Sequence, residues 1–124
     1  MLAQVVVSLS MLSPTAAAHT DPPIACTPKA LDTTQRARQK TLLAVIQKKI
    51  LKTEELSHGY ALKLPNDHAT FLEAAEWVSL ERKCCAFAEF NLEWRLDDSV
   101  WVKISGKEGV KEVLAAEMGL SASR

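Results

Sequence analysis

The chain reads as an α+β domain, an antiparallel sheet of two hairpins covered by helices in the order helix, hairpin, helix, hairpin, helix. Three observations carry that reading. Stretches with apolar residues at helical spacing alternate with stretches in which every second residue is apolar. Turn-forming residues separate the alternating runs in pairs, and Ser, Thr or Asp followed three residues later by Glu or Gln precedes each helical stretch. The 124 residues are 48% hydrophobic and 24% charged, which bounds the chain to one small domain able to bury a core.

Taken in order, Asp32 and Gln35 form a capping-box start for a first helix running to about Ile50. Leu42, Val45 and Ile46, with Leu31 before the cap, supply its core-facing stripe. Lys52 to Leu56, the turn Ser57-His58-Gly59 and Tyr60 to Leu64 make the first hairpin, ended by Pro65. The second helix starts after Asn66-Asp67, with Thr70 and Glu73 as an alternative capping pair, and runs to about Cys85.

Ala88, Phe90, Leu92, Trp94 and Leu96 alternate with polar residues, as a strand with one buried face requires. Asp97-Asp98-Ser99 turns the chain into Val100, Val102 and Ile104. Trp101 lies on the polar side of that strand. Ser105 and Glu108 stand at capping-box spacing before a last helix through Val110, Val113 and Leu114 toward Gly119. The single domain is thus expected over 31–119, preceded by a Pro-rich strap over 19–30 that carries Cys26 and followed by a disordered tail over 120–124.

Residues 1–18 have a different character. Leu2 to Leu12 is apolar but too short to span a bilayer, and Ala16-Ala17-Ala18 offers a small-residue cleavage pattern. A signal peptide is expected, with a mature start near His19 and export to a periplasmic or extracellular space; no stable membrane anchor follows. No Lys or Arg precedes the apolar run, so a misassigned start or a disordered tail is the alternative, and the chain would then be cytoplasmic. Ile24-Ala25-Cys26 matches a lipoprotein acceptor site only in part, because Pro23 stands where a Leu belongs.

Fifteen basic residues balance fifteen acidic ones, so no global field draws the chain to nucleic acid, an anionic membrane or an acidic substrate. The one local exception is the acid-free basic stretch of Arg36, Arg38, Lys40, Lys48, Lys49 and Lys52. No aromatic residues interleave it, which favours a solvated helix face over a nucleic-acid site.

The chemistry concentrates in the vicinal pair Cys84-Cys85 at the end of the second helix. At about 100° per residue, Phe71, Ala74, Ala75, Val78 and Cys85 share one face, with Trp77 and Cys84 at its edge. Cys85 is therefore expected to point inward and Cys84 toward the rim. Glu81 projects between the two, placing a carboxylate beside the thiols.

Three readings follow. Cys84, Cys85 and Cys26 could form a three-thiolate site for a soft ion such as copper(I), mercury(II) or zinc, with Glu81 as oxygen ligand or base and His68 or His19 as a nitrogen donor. Alternatively Cys26 forms a disulfide with one member of the pair and the other thiol attacks it. In the third, Cys26 and Cys84 staple the fold while Cys85 packs as a small hydrophobe. The odd, third thiol beside a carboxylate favours the two functional readings over the staple, and the metal site is the one adopted, with redox exchange as its alternative. His58 reads as a turn residue, and Trp77, Trp94, Trp101 and Phe87 could line a pocket, although core packing accounts for all but Trp101. There is no Gly-rich phosphate loop, Gly-x-Ser-x-Gly or His-Glu-x-x-His motif, so nothing marks an enzyme.

The stretch Ala75 to Val78, Leu80-Glu81-Arg82-Lys83-Cys84-Cys85-Ala86-Phe87, Phe90 to Trp94 and Ser105 to Lys111, together with Ile24-Ala25-Cys26, resembles small uncharacterised bacterial proteins with a Glu-Arg-x-Cys-Cys-Pro-Phe motif. The resemblance spans residue 24 to about 118 and implies a shared thiol site without naming its ligand. Here Ala86 stands at the motif's proline position. Proline would block further helical hydrogen bonding after Cys85, whereas alanine permits another turn.

Overall fold

A computed structural model describes residues 23–121. The expected signal peptide, His19 and the start of the strap lie outside the described residues, as do residues 122–124. The domain is α+β. Helix α1 covers Thr33–Lys49, β1 Lys52–Leu56, β2 Gly59–Leu64, α2 His68–Cys84, β3 Glu89–Trp94, β4 Val100–Ser105 and α3 Val110–Met118. The four strands form one antiparallel sheet in the order β1-β2-β4-β3, so the two hairpins join through β2 and β4.

The α1 capping box forms as the sequence requires: the Gln35 N–H donates to Asp32 Oδ1 at 2.8 Å and the Asp32 N–H to Gln35 Oε1 at 3.2 Å. At α2 the cap is Asp67, which accepts from the Thr70 N–H at 2.8 Å, and Thr70 lies inside the first turn rather than starting the helix. The Ser105-Glu108 pair does not cap α3. Ser105 still belongs to β4, and the helix begins only at Val110 after Gly109, whose φ of 94° lies in the left-handed region.

In register, Tyr60 faces Ile104, Leu62 faces Val102 and Leu64 faces Val100, while Phe90, Leu92 and Trp94 face the same β4 residues from the other side. These rows share a core with Leu42 and Ile46 of α1, Ala74 and Trp77 of α2, and Val110 and Leu114 of α3. Val45 is only half-buried. The first hairpin brings Gly59 so close to β4 that a Cβ there would sit 1.9 Å from the Ile104 carbonyl oxygen.

Three expectations of extent are corrected. The β3 strand ends at Trp94, because the Arg95 N–H to Ser99 O and Asp98 N–H to Arg95 O bonds close the turn early. Leu96 is consequently fully exposed and Trp94 partly so. Trp101, on the face away from the helices, is nonetheless buried, because the Arg95 guanidinium lies 4.4 Å from its ring centre and Lys63 approaches it as well. Leu120, placed by sequence in the tail, is buried and its N–H bonds to the Ala115 carbonyl, so the packed domain includes it. No described helix is long and apolar enough to cross a membrane.

Candidate metal centre

The site forms where three pieces of chain meet at the C-terminal end of α2. The helix stops at Cys84 even though Ala86 would permit another turn. Cys85 leaves helical geometry (φ −108°, ψ 63°) while its N–H still reaches the Glu81 carbonyl at 2.7 Å. The Thr27 N–H then takes the Cys84 carbonyl at 2.8 Å. One of the orphan carbonyls of the helix end is thus satisfied by the strap, and that bond carries the neighbouring Cys26 onto the cysteine pair. Within the strap, Pro28–Ala30 form a short 3-10 turn that leads into Leu31.

The Sγ atoms of Cys26, Cys84 and Cys85 and a carboxylate oxygen of Glu81 all lie within 4.8 Å of one another, a group that could hold a metal ion. Cys85 points inward, as the helical projection predicts. Cys84 does not sit at a rim: the strap covers it, leaving it 5% exposed. Cys26 is half-buried, and its Sγ is 2.7 Å from Cys85 Sγ. The staple partner expected from sequence was Cys84, but the closest sulfur contact of Cys26 is with Cys85, and all three thiols are free.

Glu81 is 3% exposed, and a carboxylate removed from water must find donors. Two are supplied to Oε2, from the Trp77 indole at 3.0 Å and the Gln39 amide at 2.9 Å, while Cys85 Sγ approaches Oε1 at 3.3 Å. The indole is itself held edge-on against Phe90 at 6.4 Å. Both supports fix the carboxylate with Oε1 directed at the thiols.

Burial is the main cause that pushes the Cys26 thiol up from 9.0 to about 12, partly offset by its contact with Cys85 and reinforced by the charges of Cys84 and Glu117. Burial also pushes the Cys85 thiol up, followed by its contacts with Cys26 and the Glu81 carboxylate. Both groups are therefore neutral near pH 7 unless a cation replaces their protons.

A cleft of about 370 Å3 opens onto Cys26, Cys84 and Glu81 and is lined by Arg36, Gln39 and Lys40 of α1 and Glu117 of α3. A larger cleft of about 450 Å3, beside Leu51, Asp97 and Asp98, contains no cysteine.

His68 is not brought to the site. It opens α2, exposed, and Cys84 closes the same helix about 24 Å further along. His58 sits exposed in its turn. Half of the basic stretch is taken up by α2 or by neighbouring acids: Arg38 donates to both oxygens of Glu76, Lys49 to Thr70 and Glu73, and Lys52 pairs with Glu54. Arg36 and Lys40 reach the cleft instead. Gln39 was not singled out from sequence, yet it is a polar residue three positions before Leu42, on the buried stripe of α1.

No protein-family model, curated protein or solved structure matches the chain.

Proposed function

We propose that the protein binds a soft metal ion through Cys26, Cys84 and Cys85, with Glu81 as a fourth donor or as the base that takes a thiol proton. The observation that carries this reading is the convergence of three sulfur atoms and one oxygen of a carboxylate that Trp77 and Gln39 hold in place, all within 4.8 Å and drawn from two distant parts of the chain. Three sulfurs suit copper(I) or mercury(II), and three sulfurs with one oxygen make a tetrahedral zinc set. Two sulfurs on a tetrahedral ion are about 3.8 Å apart, given metal–sulfur bonds of about 2.3 Å. Entry would thus spread the Cys26–Cys85 contact by about 1 Å.

Native mass spectrometry of the reduced full chain, titrated with copper(I), mercury(II) and zinc, tests the proposal. One ion per chain, lost in Cys26→Ser, Cys84→Ser and Cys85→Ser alike, is the expected result. Retention of no ion by the unaltered chain would end it.

The 2.7 Å sulfur contact favours a second reading, a thiol-disulfide redox protein in which Cys26 and Cys85 pair and Cys84 is the remaining thiol. The raised Cys26 and Cys85 thiols weigh against it, since exchange runs through the thiolate. Mild oxidation followed by peptide mapping separates the two: a reversible Cys26–Cys85 disulfide in a chain that holds no metal supports redox exchange.

A further inference from the structure

The cleft above the thiols has features that ion binding alone does not require. Its lining carries charges of both signs, Arg36 and Lys40 on α1 and Glu117 on α3, around a floor of Cys26, Cys84 and Glu81. Arg36 donates one guanidinium N–H to the Pro28 carbonyl at 3.3 Å, and its Nε is buried without an acceptor among the described residues. A guanidinium donor withdrawn from water and left unpaired is costly, and a turn of the Arg36 side chain toward the cleft, with an anionic group from outside the chain, would relieve that cost. A bare ion would also need only a channel, whereas about 370 Å3 accommodates a small organic ligand.

Resting on the metal reading, we propose that the cleft receives its ion as a complex with a low-molecular-weight thiol of amino-acid character. The carboxylates of the carrier face Arg36 and Lys40, its ammonium faces Glu117, and its sulfur brings the metal to the floor. Transfer is then a ligand exchange with no change of oxidation state. As each bond from the metal to a protein Sγ forms, one bond from the metal to a carrier sulfur breaks. The proton of the protein thiol passes to the departing carrier thiolate, and for Cys85 it passes by way of Glu81 Oε1, 3.3 Å from Sγ. Two protein thiols and one bis-thiolate complex yield a two-sulfur-bound ion and two free carrier thiols, and the third protein sulfur then joins the ion as its proton leaves to solvent, so atoms and charge balance.

The test compares two carriers of one ion, the mercury(II) complexes of glutathione, which is zwitterionic with net negative charge, and of 2-mercaptoethanol, which is neutral. Loading of the reduced full chain is followed by time-resolved native mass spectrometry. The glutathione complex is expected to load about tenfold faster, the lower end of what charge steering into a cleft provides. That ratio should fall toward one in Lys40→Gln, in Arg36→Gln, and in the unaltered chain at about 0.5 M salt, where charge attraction is screened within a few ångströms. Lys40 is exposed, which keeps the test informative if Arg36→Gln disturbs the strap. Equal loading from both carriers, or a ratio indifferent to salt and to Lys40→Gln, overturns the carrier proposal while leaving the metal site standing. Loading from neither carrier overturns both.

Discussion

At the scale of single residues, Glu81 has the most consequential surroundings. Its carboxylate is buried, its two oxygens have different partners, and only Oε1 faces sulfur. Residues that orient a metal ligand typically account for 10–100-fold in affinity. Gln39→Ala, which removes one of the two donors to Oε2, should therefore weaken metal binding about tenfold with stoichiometry unchanged, as read by competition against a chromophoric chelator. An unaltered affinity would mean that Glu81 is not part of the site. The thiols supply a pH prediction. Because Cys26 is raised in the folded metal-free state, its neutral form is favoured there, so the stability it contributes is complete below about 9 and is lost as pH rises toward about 12. The reduced metal-free protein should unfold more readily above pH 9, measured by urea titration, and Cys26→Ser should lose part of that alkaline slope. Metal affinity should move the opposite way and rise from pH 6 to pH 8, because the ion displaces protons from the thiols.

At the scale of elements, termini and turns decide where the site lies. Asp67 fixes the start of α2, and its hydrogen bonds from the Thr70 backbone and hydroxyl hold its carboxyl below the ordinary value. The folded-state value being depressed, this contribution is present above about pH 4 and is lost as pH falls through the folded value. Asp67→Ala should lower the melting temperature without altering metal stoichiometry, since the cap lies at the end of α2 remote from the cysteines. Gly59→Ala should be worse, about 2–3 kcal/mol, because its Cβ would meet the Ile104 backbone rather than a flexible side chain. A thermal melt of each variant checks both. The elements themselves were legible in the sequence where one local signal dominates: the Asp32-Gln35 box, the alternation of β2 and β4, and the inward turn of Cys85. They were misread where a longer-range contact overrides the local one. Leu96 continues the alternation of β3, but the turn closes at Arg95; Ser105-x-x-Glu108 has capping spacing, but Ser105 is claimed by its pairing with Gly59 and Glu89.

At the scale of the molecule, the site joins the segment before the first helix to the end of the second, 59 residues apart in sequence. That separation explains what sequence alone left open. The composition of the site, Cys26, Cys84, Cys85 and Glu81, could be read from residue types and helical projection, but whether the strap reached the pair depended on the Thr27 N–H finding the Cys84 carbonyl. The burial of Cys84 follows from the same bond and has no local signature. It also follows that loading the site should stabilise the whole fold, since an ion bound by both segments favours only the state in which they touch. At a free ion concentration one hundred times the dissociation constant, the gain is about 2.7 kcal/mol. For a domain of roughly this size that corresponds to a rise in Tm of about 10 °C or more. The rise should be largely absent in Cys26→Ala, where the strap can no longer share the ion. Hydrogen exchange checks the link: on loading, the Thr27 amide should slow by up to about a hundredfold, as much as the amides of β4 that open only on global unfolding, because the opening that frees Thr27 also releases the ion. A Tm gain that survives Cys26→Ala, with Thr27 exchange unmoved, would place the ion on the Cys84-Cys85 pair alone and leave the strap as a structural cap on the helix.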